Sequence, residues 1–270
     1  MFKGNYNFFD YKYNIEGYNG QDFGGLAQYL YLAMSIVLIV ILLIFLRNIS
    51  KEKVFKIIKV TSIFLVIFYI TKTIWESIYD IKLDGSFNTG LLPFDTCSII
   101  MYAGILASFA KGKIKKLAEC WLATGGIVGG IAVMVHLNAL NYYPFLSFGA
   151  FYSMIWHFLM VFVGLLMIVT NYVDIKYNSI IYGFIFHLII SLIVIPIDFI
   201  FNFDFMLYLN LSGVPFLEDI ASNFTSLNLQ ILNPLMMLIA YFVAFNIVFL
   251  PKILYLYIKD KSKNLENISL

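Results

Sequence analysis

Charge is what this 270-residue chain has least of. Asp, Glu, Lys and Arg make up 13% of it, against 61% for hydrophobic side chains. Soluble domains carry roughly 25% charged residues, so a soluble monomer could not cover its surface from this supply. The scarcity excludes a soluble enzyme, a disordered chain and a nucleic-acid binder, and the net charge of +2 adds no basic bias. Cysteine is nearly absent too. Two residues build neither a disulfide framework nor a four-thiolate metal site. What is abundant is apolar and aromatic. Phe, Trp and Tyr reach 18%, which suits many membrane–water crossings. The composition predicts a polytopic membrane protein.

A membrane helix needs about 20 mostly apolar residues. Seven segments qualify, at about Leu26–Leu46, Ile57–Ile78, Pro93–Ala110, Leu117–His136, Ala150–Thr170, Ile180–Phe201 and Leu232–Tyr257. The expected fold is therefore all-α, with seven transmembrane helices in one membrane domain over residues 26–258. Residues 1–25 form an extracytoplasmic tail and 259–270 a cytoplasmic one. No short basic region precedes the first apolar run, so it reads as a true span and not as a cleaved signal.

Cytoplasmic loops collect Lys and Arg. The first loop carries Arg47, Lys51, Lys53, Lys56 and Lys59, and the third carries Lys111, Lys113, Lys115 and Lys116. Lys176 lies in the fifth, and Lys252, Lys259, Lys261 and Lys263 close the chain. Only Lys3, Lys12, Lys72 and Lys82 fall elsewhere. The asymmetry predicts the N-terminus outside, the C-terminus in the cytoplasm, and a multi-pass protein of the cell membrane. The opposite face bears Asp80 and Asp84, and a long sixth loop with Asp204, Glu218 and Asp219.

Ionisable groups inside a membrane are costly and mark functional sites by default. Placed by the helical rise, Cys97 in span three and His157 in span five reach similar depth, roughly 5–10 Å below the outer boundary. Asp95 is slightly shallower. Asp198 nears the outer end of span six, Lys72 and Glu76 occupy the last turns of span two, His136 ends span four, and Asn233 opens span seven. These side chains converge on the outer leaflet. Glu119, Cys120 and the deeper His187 do not. Plain structural roles compete with functional ones. Lys72 and Glu76, spaced i, i+4, can simply pair, and Asp95 can complement a helix dipole behind Pro93.

A thiol and an imidazole at one depth suit acyl transfer: the imidazole takes the thiol proton, and a helix N-terminus favours the thiolate. The intermediate would be a fatty acyl thioester. No spacing motif supports a metal site, and no metal or cofactor is expected. Gly125, Gly126, Gly129 and Gly130 offer small-residue faces for helix packing. Of these, the Gly125/Gly129 face is a candidate for homo- or hetero-oligomer contact.

The run Leu92-Pro93-Phe94-Asp95-Thr96-Cys97-Ser98-Ile99 resembles the Leu-Pro-x-His-x-Cys-x-Ile signature of the YwaF family, bacterial membrane proteins related to the eukaryotic transmembrane protein 164. Gly130-Ile-Ala-Val-Met134, Ser153-Met-Ile-Trp-His157, Ile197 to Met206 and Pro215-Phe-Leu-Glu-Asp219 are similar to further family segments in the same order. Asp95 stands at the signature's His, and Asp198 and Asp204 stand where the family usually shows Asn. The eukaryotic relatives are described as acyltransferases that move fatty acyl chains between phospholipids with a cysteine. The resemblance implies Cys97 as nucleophile, His157 as its base and membrane phospholipids as partners. Asp95 would orient His157, as the third member of a triad does.

Two other classes fit the same residues. Asp198, Lys72, Glu76, Asn233 and His136 are the candidate substrate-binding residues; a transporter or small-molecule binding protein would instead use Lys72, Glu76 and Asp198 as ligand or proton sites in an outward-facing polar cavity reaching towards His187. A non-catalytic partner subunit would keep the cluster closed and fully paired.

Overall fold

The computed structural model describes residues 7–11, 26–85, 89–135, 143–144, 146–211, 217, 219–220 and 229–268. His136, Glu218 and most of the 1–25 tail lie outside these. The described residues form eight α-helices and two 3-10 turns, and no strand. Helix α1 is Leu26–Leu46, α2 Lys51–Asp84, α3 Ile99–Phe109, α4 Gly112–Ala123, α5 Gly125–Val135, α6 Phe148–Val169, α7 Tyr177–Phe201 and α8 Leu229–Ile268.

Five of the expected spans appear as helices long and apolar enough to cross a bilayer: Gln28–Leu46, Lys51–Lys82, Gly112–Val135, Phe148–Val169 and Tyr177–Phe201. The third and seventh contribute shorter apolar helices, Thr96–Phe109 and Ile231–Ile247. The third is short because Pro93 does not open it. Pro93 lies in a turn, Asp95 is extended without a side-chain cap, and a 3-10 turn over Thr96–Ser98 leads into α3. Fourteen residues rise only about 21 Å.

Caps and not the apolar boundary set the ends of α2. Ser50 Oγ accepts from Lys53 N at 3.4 Å, and Gly85, at φ +69°, closes the other end by donating to the Ile81 carbonyl at 3.0 Å. The 34-residue helix is about 51 Å long, well beyond a hydrocarbon core of about 30 Å. Ser147 caps α6 in the same way, accepting from Ala150 N at 3.4 Å. The expected fourth span is two helices hinged at Thr124, whose hydroxyl donates to the Cys120 carbonyl at 2.7 Å.

Helix α6 is central and packs against α1, α2, α4 and α5, while α3 bridges α2 and α4, and α7 lies between α4 and α8. The glycines of α5 make its fit to α6 possible. A Cβ on Gly130 would lie 2.6 Å from Val161 Cγ2 and 3.0 Å from the His157 carbonyl. Gly125 faces Trp121 and Phe245, and the partly buried Gly129 faces Met160. Helix α1 behaves differently. It is anchored by Tyr31, whose hydroxyl donates to the Met154 carbonyl at 2.8 Å, yet Met34, Val37, Ile44 and Phe45 stand exposed on it. A large apolar surface of this kind needs lipid to cover it.

The lysine-rich ends gather on one side. Lys59 lies 4.8 Å over the Phe109 ring, Lys115 4.5 Å over Phe55 and Lys116 4.8 Å over Tyr182. These contacts bring the starts of α2, α4 and α7 together with the end of α3.

Candidate functional site

The opposite end of α2 meets the start of α3, and the segment between them is short of regular backbone bonds. Carbonyls outside a helical ladder need other donors. Aromatic side chains supply them. The Tyr69 hydroxyl donates to Leu91, Tyr102 donates to Pro93 at 2.8 Å, and Trp156 Nε1 donates to the Cys97 carbonyl at 3.2 Å. Thr96 Oγ1 and the Tyr241 hydroxyl share a 2.6 Å hydrogen bond. Side chains from α2, α3, α6 and α8 thereby fix the turn that carries Cys97. The thiol is free and half-buried.

Charge surrounds this turn. Lys72 and Asp95 both act electrostatically on Cys97, and Lys72 acts on Asp95 as well. Lys72 forms an ion pair with Glu76, one turn further along α2, with side-chain exposures of 14% and 2%. Tyr143 donates to Glu76 Oε1 at 2.6 Å, and the Lys72 ammonium stands 5.8 Å from the Tyr152 ring. Residues 7–11 lie over this network. The Phe9 carbonyl accepts from Trp75 Nε1 at 3.0 Å and from the Tyr79 hydroxyl at 2.6 Å, the Phe8 carbonyl accepts from Phe148 N at 2.6 Å, and Tyr11 packs against Trp75, Tyr79 and Tyr143.

His157 is buried, and its ring is oriented from its own helix. Nδ1 lies 2.7 Å from the Ser153 carbonyl and 3.3 Å from Ser153 Oγ. A carbonyl only accepts, so Nδ1 carries the proton and Nε2 is left as the basic atom. Nε2 is buried without a hydrogen-bond partner. No hydrogen bond joins it to Cys97, and the orienting contact on Nδ1 is Ser153's and not Asp95's.

Asp198 and Asn233 tie the chain leaving α7 to the start of α8. Asp198 Oδ1 accepts from Phe205 N at 3.2 Å, and Asn233 Nδ2 donates to the Leu209 carbonyl at 2.7 Å. Asp204 Oδ1 accepts from Leu209 N at 2.9 Å. Burial holds the Asp204 carboxyl above its ordinary range, against the lowering effect of backbone donors from Leu209, Asn210 and Tyr208. The negative charge of Asp198 still reaches Asp95. His187 is fully buried, 4.3 Å between centroids from the ring of Tyr241 that bonds Thr96, with neither ring nitrogen bonded. Among the described residues no three His, Cys, Asp or Glu side chains group as metal ligands.

Reasoning from sequence singled out the charged members of this cluster but not Tyr69, Tyr143, Tyr152, Trp156 or Tyr241. The one available signal was their position at the same depth as Cys97, and in a chain so rich in aromatics it does not separate them from an interfacial belt.

An all-helical bundle with five spanning-length apolar helices and a lipid-demanding exterior defines a multi-pass integral membrane protein. The chain belongs to the TMEM164 family, whose family model matches residues 23–257. No curated protein and no solved structure matches it.

Proposed function

We propose that this protein is a phospholipid acyltransferase that carries the acyl chain as a thioester on Cys97. The observation that carries the reading is a half-buried free thiol on a turn held by side chains from four helices, beside a buried ion pair. Such fixation holds a nucleophile in place without reorganisation during reaction. In the proposed cycle the thiol gives its proton to His157 Nε2, directly or through one bound water. The sulfur attacks the ester carbonyl of a phospholipid. The C–S bond forms as the C–O bond to glycerol breaks, and the leaving oxygen takes the proton from His157. An acceptor hydroxyl, giving its proton to His157 Nε2, then attacks the thioester carbonyl; the new C–O bond forms as the C–S bond breaks, and the leaving sulfur takes that proton back as the thiol.

Seven spans, with the N-terminus outside, put this chemistry in the outer leaflet. The lysines gathered at the other end support that orientation. The test is lipid analysis of cells expressing the wild type, Cys97→Ala, His157→Gln or vector alone. A shift in acyl-chain profile is expected for the wild type and not for either variant. Identical profiles in all four would falsify the enzyme reading.

A further inference from the structure

Between α2 and α3 runs an apolar groove of about 540 Å³, lined by Val66, Tyr69 and Ile70 on one side and Met101, Tyr102 and Ile105 on the other, with Pro93 at one end. Its size falls within the roughly 300–1,000 Å³ of small-molecule pockets. The two wall tyrosines direct their hydroxyls to the carbonyls of Leu91 and Pro93, so both donors are already used and the walls face an occupant with apolar surface. The helices touch tightly at Gly104, where a Cβ would lie 2.2 Å from Ser62 Oγ. The groove opens towards lipid. Ile70 is 53% exposed, and Ile67 and Ile74 are exposed beside it on α2.

Its Pro93 end adjoins the turn that carries Cys97. Pro93 precedes Cys97 by four residues, and Tyr69 belongs to the groove wall and lies near enough to Cys97 for the two to interact electrostatically. Tyr69 also packs 5.9 Å from the Trp156 ring that holds the Cys97 carbonyl. Lys72 follows Tyr69 by three residues on α2. An apolar slot open to hydrocarbon, whose wall residues Pro93 and Tyr69 adjoin the turn that carries Cys97, matches one ligand shape: a linear hydrocarbon tail with a polar ester at its head.

We propose that this groove is the acyl-chain site, holding a single fatty acyl tail of a membrane phospholipid with its ester carbonyl at Cys97. The assignment to an acyl donor rests on the acyltransferase reading. The occupancy of the groove by a lipid tail does not.

The test uses full-length protein in phosphatidylcholine vesicles containing a trace of phosphatidylcholine with a diazirine on one tail. After illumination, crosslinks are mapped by mass spectrometry. Tyr69, Met101 and Tyr102 should be labelled roughly tenfold more than Met34 and Phe45 on the lipid-facing α1. Cys97→Ala should label the same groove residues to the same extent, because the tail needs no thioester to enter. Ile105→Trp, and separately Val66→Phe, should lower groove labelling about tenfold with α1 labelling retained, which reports intact insertion. Equal labelling of groove and α1 in the wild type, or groove labelling untouched by both filling variants, overturns the proposal. Labelling that persists in the groove while Cys97 never forms a hydroxylamine-sensitive acyl adduct overturns the thioester reading alone.

Discussion

The two ends of the bundle use the same residue types in opposite ways. At the Cys97 end, an i, i+4 Lys–Glu pair is almost withdrawn from solvent and a tyrosine donates to the glutamate. At the lysine-rich end, Lys115 and Glu119 have the same spacing and Tyr172 donates to the glutamate at 2.7 Å, yet the pair is 3.7 Å apart and side-chain exposures rise to 33% and 17%. Lys176 and Asp174 pair there at 2.6 Å with exposures of 75% and 70%. Each end also has a cysteine. Cys97 sits on an irregular turn, whereas Cys120 is buried inside regular helix α4. For the charged pairs, burial and not composition separates a held site from a solvated surface; for the cysteines the difference lies in the backbone, since Cys97 is the less buried of the two.

The largest difference is expected from removing one member of the buried pair. Glu76→Ala leaves Lys72 without its partner and the Tyr143 hydroxyl without its acceptor. Such a loss costs about 3 kcal/mol, read as a lowered unfolding midpoint in detergent. Asp174→Ala at the other end should leave that midpoint unmoved. Equal losses at the two ends would break the comparison.

A smaller effect isolates the tyrosine. Tyr143→Phe removes a hydrogen bond to a buried carboxylate and should cost about 2 kcal/mol. Trp156→Phe keeps the ring but removes the donor to the Cys97 carbonyl. It should cost about 1 kcal/mol and also slow acyl labelling of Cys97. A stability loss with unchanged labelling would make Trp156 a packing residue and not a positioning residue for the thiol.

Much of this contrast was legible in the sequence. The apolar runs located five spanning-length helices, and Lys72 with Glu76 reads as a pair from its spacing alone. Three things were not legible. The late start of α3 depends on tertiary bonds that hold Pro93 and its neighbours out of the helix, which no local pattern encodes. The Thr124 hinge uses a hydroxyl turned onto its own helix, 2.2 Å from where a Cβ on Gly183 would sit. The aromatic donors are invisible for another reason: a tyrosine that grips a carbonyl and one that faces lipid headgroups look the same without a partner. Spacing also brought Cys97 and His157 to one depth, but depth says nothing of the direction in which a ring faces. Ser153, one turn before His157, is the residue that fixes it.

The smallest expected effect is the most discriminating about mechanism. Lys115→Ala removes a partly exposed ion pair and should cost about 0.5 kcal/mol. Salt can test whether that loss is electrostatic. At about 1 M the Debye length falls to about 3 Å and exposed pairs are screened, while buried ones are screened much less. In high salt the gap between Lys115→Ala and wild type should therefore close, and the gap for Glu76→Ala should persist. If the Lys115→Ala gap survives salt, its origin is the stacking of the side chain over Phe55, 4.5 Å from the ammonium to the ring centre, and the lysine-rich end is held by packing more than by charge.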